Sequence, residues 1–501
     1  MEPPSTRRGE PLRAVIRRQS RERAGAPYLL DARSARVLTF EELADEVAQR
    51  AHQLREWGLV PGERFGLVVA DPLTFASWFL AGIASGAWVA PLDPTPSSIE
   101  ASGARATALG VNFVVSDQSA PAISTAKWMA AGASSEDASS RLDQEEDTPL
   151  GGMILSSSGT TGTPKVMALG VEQLLATASL IVQHHRFEVG DRGFNPLPLW
   201  HVNAEVVGLL ATLVAGSSLV LDQRFHRTGF WALVNDFDVT WINAVPAIIS
   251  RLANLQDGET PSQAIRFVRS ASAPLAPALF ERFEADVGVP IIQSYGMTEA
   301  ASQICVSPID GRRKAGSVGR AAGVDVRVRA DASEIGPIEI KGPTVITHYE
   351  SPGYEGRFDA EGWLRTGDLG YFDDDDYLFI VGRDDDVINR GGEKIYPLEI
   401  EQVLANVEGV ASVAVIARDD DVFGQVPVAF VKADEGVDLR SMEELSALVS
   451  RVRHYAGERL PSTHRPTLVE VVREFPQHAT GKIQKSILRQ DDVVVVYEER
   501  L

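Results

Sequence analysis

Short apolar runs recur along the first two thirds of the chain, at 65–70, 113–115, 218–221, 239–242, 265–268 and 290–293. Each is four to six residues or fewer and is bounded by Gly, Pro or polar residues, which predicts buried strands. Between them, 40–57, 171–185, 246–255 and 276–286 repeat apolar residues every three to four positions, which predicts helices with one buried face. Strand and helix in alternation predict an α/β fold of layered, mostly parallel sheets. After about residue 324 the pattern changes. The runs 324–329, 338–341 and 377–381 alternate, are rich in β-branched residues and are punctuated by Gly, which predicts a small β subdomain. Beyond Arg383 the pattern is mixed: a helix over 397–407, strands over 410–417 and 426–432, a helix over Met442–Arg459 and a strand over 468–474. These form a compact α+β unit. The expected division is a large N-terminal domain, 1–384, and a small C-terminal domain, 385–501, joined at the acidic segment Asp384–Asp386.

Four segments invite a competing reading. Residues 1–24 are rich in arginine, but Glu2, Glu10 and Glu22 interrupt the run and no apolar stretch follows, so a surface helix is preferred to a transit peptide. Residues 75–92 are uncharged and long enough to suggest a membrane span. Their Gly, Ala and Ser content and the preceding strand favour a buried helix instead. Residues 117–147, rich in Ala, Ser and acids, read as an exposed connection without chemistry. The four aspartates 373–376 read as a solvated hairpin turn rather than a metal site.

Composition narrows the function. Hydrophobic residues make up 44% and charged residues 23%, as in folded soluble domains. A net charge of −21 argues against a nucleic-acid partner, which would need a basic face, and no stable membrane insertion is expected. The single cysteine, Cys305, excludes an internal disulfide and a thiolate metal cluster and fits a cytoplasmic location.

The richest chemistry lies at 152–165, GMILSSSGTTGTPK. A strand-like run enters a loop of Ser, Thr and Gly and leaves through Pro164-Lys165. Glycines let backbone N–H groups turn toward an anion, hydroxyls add donors, and the lysine adds charge, a combination suited to polyphosphate. It is not a Walker A loop: Pro164 stands where the second glycine belongs, and Val166 where a Ser or Thr would meet magnesium.

The segment 157–165 resembles the signature loop of the acyl-adenylate-forming enzymes, which include acyl- and aryl-CoA synthetases, nonribosomal adenylation domains and luciferases. The resemblance continues in order over about residues 35–490 and is nearest to free-standing acyl- or aryl-CoA ligases. It implies that Ser157, Ser158, Gly159, Thr160, Thr161, Gly162 and Lys165 cradle ATP phosphates. QSYGMTEA at 293–300 resembles the adenine and metal motif: Tyr295 would stack on adenine, Thr298 touch phosphate and Glu299 hold Mg2+. GWLRTGDLG at 362–370 places Asp368 on the ribose hydroxyls, a role that suits an acceptor-only carboxylate. VGRDDDVINRGGEKI at 381–395 resembles the hinge and the start of a mobile domain. There Arg383 would approach ribose or phosphate and Asp385 would be the pivot. Gly391 and Gly392 would line a pantetheine tunnel, and Lys394 would contact phosphate. Lys482, in QHATGKIQKSIL at 477–488, resembles the mobile catalytic lysine; the neighbouring Lys485 is given no role.

The resemblance thus implies an AMP-forming acid–CoA ligase using ATP, Mg2+ and coenzyme A, with an organic acid as its small-molecule partner. LPLWHVNAE at 197–205 resembles the gate beside the reacting carboxylate, giving that place to His201. Asn203, Asn243, Ala244, Ser270, Ala271, Ser272, Gly296 and Met297 would line the remaining pocket. Several of these are small, which slightly favours a bulky or aromatic acid. An enzyme that loads a separate carrier protein is the near alternative; a non-catalytic nucleotide or metabolite sensor is the alternative of another class, and the retained Lys482, Glu299 and phosphate loop speak against it.

Overall fold

The computed structural model describes residues 10–120, 126–132, 150–157, 165–329, 335–434, 436–477, 482–490 and 492–500. Among these the strands form four sheets. A nine-stranded sheet centres on parallel strands Phe267–Ser270, Trp241–Ala244, Arg192–Asn195 and Ser218–Leu221, with Ile291–Tyr295 beside the first and Pro27–Asp31 beside the last. A six-stranded sheet holds parallel strands Lys127–Ala130, Phe113–Ser116, Arg64–Val68, Trp88–Pro91 and Gly152–Ser157, closed by the antiparallel strand Lys165–Gly170.

The helix Pro72–Ala84 shows why the two sheets stay together. Asp71 caps it, its carboxylate accepting from Thr74 N–H, and Pro72 supplies a preset φ at the first position. Every residue from Phe75 to Ala84 is buried. A helix apolar all round must be enclosed. It packs on Arg64–Val68 and Trp88–Pro91 of one sheet and on Pro27–Asp31 of the other. The single helix expected over 75–92 is therefore corrected: it stops at Ala84, and Gly86, at φ +77°, turns the chain into the strand Trp88–Pro91. No described helix is long and apolar enough to cross a membrane.

Two other expectations change. The arginine-rich N-terminal helix, Leu12–Arg23, is docked rather than lying on the surface. It buries Leu12, Val15 and Ile16, while the Arg13 guanidinium donates to the Ala84 carbonyl and the Gln19 amide to that of Leu213. The 117–147 stretch contributes the edge strand Lys127–Ala130, paired in register with Phe113–Ser116; its residues 121–125 and 133–147 lie outside those described.

The small β subdomain is a four-stranded antiparallel sheet, Asp325–Val328, Gly336–Lys341, Leu364–Phe372 and Leu378–Arg383. Its third strand, recognised in the sequence only as a motif, carries Asp368. The aspartates 373–376 form the turn that follows, and Asp373 and Asp375 both pair with Lys314. From Ile388 onward the chain builds a further six-stranded sheet with its own apolar core, in which Ile388, Ile400, Leu404, Val431, Leu448 and Val469 cluster together.

Candidate active site

The parallel strands Trp241–Ala244, Phe267–Ser270 and Ile291–Tyr295 end side by side, and the candidate site lies beyond their carboxyl ends, where open α/β sheets bind ligands. Two groups of residues meet there.

The first group brings together residues expected to hold the nucleotide. Tyr295 is buried, and its hydroxyl donates to Asp368 Oδ2 at 2.5 Å. The other oxygen of Asp368 accepts from Arg383 Nη1 at 3.3 Å, and Arg383 Nε donates to Asp385 Oδ1 at 3.1 Å. Burial, the Asp368 charge and the hydrogen bond to that carboxylate all hold the Tyr295 hydroxyl well above its usual pKa, so it is a donor at every physiological pH. Burial pulls the pKa of Arg383 down, but Asp368 and Asp385 outweigh it and the net shift is upward. Close approach explains two glycines. A Cβ on Gly367, at φ +83°, would lie 2.9 Å from Arg383 Nη2, and one on Gly296 would lie 1.9 Å from the Ser302 carbonyl oxygen.

Glu299 sits on a single 3-10 turn, Thr298–Ala300. It is buried, and its Oε1 accepts from the Tyr349 hydroxyl at 2.9 Å. The next residues, Ala301 at φ +47° and Ser302 at φ +85°, hold left-handed backbone without being glycine. Ser272 at φ +72° does the same at the end of the neighbouring strand. Such strain persists where surrounding contacts fix it, and here it clusters on the pocket.

Lys165 begins the strand that follows the phosphate loop; in the hairpin it lies opposite Ser157. Its Nζ rests 5.4 Å from the Tyr354 ring and 5.9 Å from that of Tyr349. Burial lowers its pKa, Glu299 opposes this, and Arg357 and Arg383 reinforce it. The 349–354 segment also clasps the hairpin: Ser351 Oγ accepts from Val166 N–H, and Glu350 N–H donates to the Val166 carbonyl. The loop residues Ser158, Gly159, Thr160, Thr161 and Gly162 lie outside the described residues, as does Gly481.

The second group surrounds the expected acid pocket. His201 and Trp200 stack obliquely, with ring centroids 4.1 Å apart. Asn203 and Asn243 are buried, and both accept from the guanidinium of Arg269, at 3.0 and 3.3 Å. Asn203 donates to the exposed Ser272 Oγ at 3.3 Å. Ala244, Ser270 and Ala271 are buried at the strand ends; Gly296 and Met297 are half-buried.

The C-terminal residues stand apart from both groups. Gly391 and Gly392, at φ +59° and +91°, form the turn between strands Ile388–Arg390 and Glu393–Ile395. Two consecutive left-handed residues define the tight hairpin turn for which Gly-Gly is suited. They border a shallow depression of about 420 Å3 with Asn389, Phe423, Gly424 and Gln425. Lys394 and Lys482 are exposed, and neither forms an ion pair or side-chain hydrogen bond with a described residue. Lys485 is paired with Glu401 at 2.6 Å, which accounts for it structurally.

Sequence reasoning missed Tyr349 and Arg269. The first lies in a segment without a recognisable pattern. The second had a signal: a charged residue immediately after an apolar run that reads as a buried strand.

The polar cluster around Tyr295 and Asp368 at the strand ends suits an adenylate-forming enzyme, and the chain belongs to the AMP-binding enzyme family. The model of that family matches residues 16–350, and the model of the AMP-binding enzyme C-terminal domain matches residues 399–482. The chain is similar to a sulfoacetate–CoA ligase of Cupriavidus necator, 32% identical over 95% of this chain and 96% of that one. It is similar to an oxalate–CoA ligase of Arabidopsis thaliana, 30% identical over 90% of this chain and 93% of that one. The solved structure of o-succinylbenzoate coenzyme A synthetase from Bacillus subtilis, in complex with ATP and magnesium ion, matches with a TM-score of 0.82 at 26% identity, covering 95% of this chain and 98% of that one.

Proposed function

We propose that this chain converts an organic acid to its acyl-adenylate at the Tyr295–Asp368 and His201–Ser272 site and then passes the acyl group to the thiol of coenzyme A. It is an AMP-forming acid–thiol ligase, the class its relatives are named for. The observation that carries the residue assignment is the hydrogen-bonded chain Tyr295–Asp368–Arg383–Asp385, which sets an aromatic face, a ribose-type acceptor and the hinge segment in one line.

The acid's carboxylate attacks the α-phosphorus of ATP; the P–O bond to the leaving pyrophosphate breaks, and acyl-AMP forms. Lys165 and the loop before it would hold the phosphates, and Lys482 would bridge the attacking carboxylate and the α-phosphate after the C-terminal unit turns about Asp385. The thiol sulfur then attacks the acyl carbonyl, AMP leaves, and the thiol proton passes to solvent. Gly391 and Gly392 would flank that second approach. Glu299 fits a Mg2+ site: it is a hard oxygen donor with one oxygen already oriented by Tyr349. The described residues offer no cluster of three or more His, Cys, Asp or Glu, so the ion would rely on phosphate and water as well, as nucleotide-bound Mg2+ does. When bound, it supplies charge neutralisation at the phosphates. Loading of a separate carrier protein gains no support from relatives named for CoA.

Lys482→Ala tests the assignment. Adenylation, read as acid-dependent pyrophosphate exchange, should fall by at least about 10²-fold, the scale for loss of a preorganised transition-state contact. Thioester formation from synthetic acyl-AMP should be largely spared. Equal loss of both half-reactions would remove Lys482 from this role.

A further inference from the structure

Arg269 is the penultimate residue of the strand Phe267–Ser270, facing Asn243 and Ile292 in register. Its side chain is fully buried, yet no carboxylate among the described residues lies within ion-pair distance. Its partners are all neutral: Asn203 Oδ1 at 3.0 Å, Asn243 Oδ1 at 3.3 Å and Ser294 Oγ at 2.9 Å. A guanidinium has five N–H donors. Three hydrogen bonds therefore leave Nε–H and one hydrogen of Nη2 uncommitted, and Nε has no acceptor among the described residues. Nε and Nη2 form the edge that meets a carboxylate side-on with two parallel bonds.

A buried charge without a counter-charge is costly, and proteins ordinarily pair it. Burial lowers the pKa of Arg269 to about 9, which still leaves the group cationic at neutral pH. Its positive charge is felt nearby: after burial, it is the next cause holding His185 well below its usual pKa. The chain does place a carboxylate close in sequence to the network, at Glu205. That group is buried, has no hydrogen-bond partner among the described residues and forms no ion pair with Arg269, while burial raises its pKa. Arg269 lies among the residues expected to line the acid pocket. Asn203 lies two residues after His201, Ser294 immediately precedes Tyr295, and Asn203 links the guanidinium to the exposed Ser272 in one further hydrogen bond.

We propose that the acid activated here carries a second anionic group, a carboxylate or a sulfonate, and that Arg269 with Asn203 is the site that selects it. This rests on the acid-ligase reading above and adds the class of acid to it. One anionic end is activated while the other supplies the charge the pocket wall lacks. A wall of neutral acceptors around a cation discriminates strongly, because an analogue without the second charge leaves the guanidinium buried and uncompensated.

The test compares matched pairs with the wild-type enzyme, ATP, Mg2+ and CoA, reading acid-dependent AMP release. Each dianionic acid is set beside a monoanionic counterpart that lacks only the second charge: sulfoacetate with methylsulfonylacetate, succinate with succinamate, o-succinylbenzoate with 3-benzoylpropionate. The expected result is a kcat/KM at least about 10²-fold higher for the dianionic member of the pair that fits. The fitting pair reports whether the second group is carboxylate or sulfonate and how long the spacer is. Arg269→Met should erase that preference while leaving the KM for CoA unchanged; if that variant does not fold, the wild-type comparison decides alone. Monoanionic members, or unrelated monocarboxylates, turned over as well as or better than the dianions would overturn the inference while leaving the ligase reading intact. AMP release with no acid of either kind would overturn both.

Discussion

Tyr349 places a hydroxyl on Glu299 and, with Tyr354, a ring on Lys165, so one short segment orients both a metal-type oxygen and a phosphate-type cation. Tyr349→Phe removes the hydroxyl and keeps the ring. The Mg2+ concentration needed for half-maximal pyrophosphate exchange should rise about 10–100-fold, the range for losing an outer partner of a metal ligand. Glu205 gives a prediction of opposite sign. Its folded pKa is raised by burial, so its contribution to stability is greatest below the unfolded carboxyl value, near 4.3, and declines as pH rises toward the folded value. Glu205→Gln has no such loss. Its unfolding free energy relative to the parent should therefore increase as pH rises above the unfolded carboxyl value, by at most about 1.4 kcal/mol per pH unit, and a flat difference in denaturant unfolding would show that Glu205 does not titrate this way. At this scale the sequence was informative where residues lie in ordered motifs, as with Tyr295 and Asp368. It was silent where a role comes from a contact far along the chain: Tyr349 meets Glu299 across fifty positions, and no local pattern announces it.

Elements were more legible than single contacts, because periodicity is local. The helix Val171–His185 and the helix Met442–Arg459 fall where the apolar spacing put them. The failures share a cause. Over 75–92 helix and strand are both fully apolar, so hydrophobicity alone could not show the break at Gly86. In Leu12–Arg23 the arginines masked an apolar stripe that docks on the α/β layers. Buried glycines mark the tightest element contacts. A Cβ on Gly82 would stand 2.5 Å from the Phe65 ring, so Gly82→Val should cost about 1–3 kcal/mol by overpacking, measurable by denaturant unfolding. The Gly391-Gly392 turn is constrained differently, by backbone. Gly392→Ala at φ +91° should disturb the hairpin and slow thioester formation, while acyl-AMP still accumulates.

For the whole molecule, the apolar core that begins at Ile388 is separate from the core beneath the strand-end pocket, which suits a C-terminal unit that moves as a body. Asp384–Asp386 lies between them, and Asp386 is tied to Arg489 and, at 3.9 Å, to Lys485 of the C-terminal unit. Arg383 is tied the other way, to Asp368 and Asp385 together. That shared guanidinium carries a consequence for how occupancy and motion are linked. On the proposed assignment a ribose hydroxyl would share the Asp368 carboxylate with Tyr295 and Arg383, and any weakening of the Arg383 contact would change the balance at Asp385. By reciprocity, if the proposed hinge draws Arg383 away, it would change nucleotide affinity by the same factor. AMP should therefore alter amide hydrogen exchange across 383–387 in the parent protein, and Arg383→Gln should uncouple the two, leaving the segment's exchange indifferent to the nucleotide. Product release and domain rotation would then be two readings of a single equilibrium, with one arginine as its shared term.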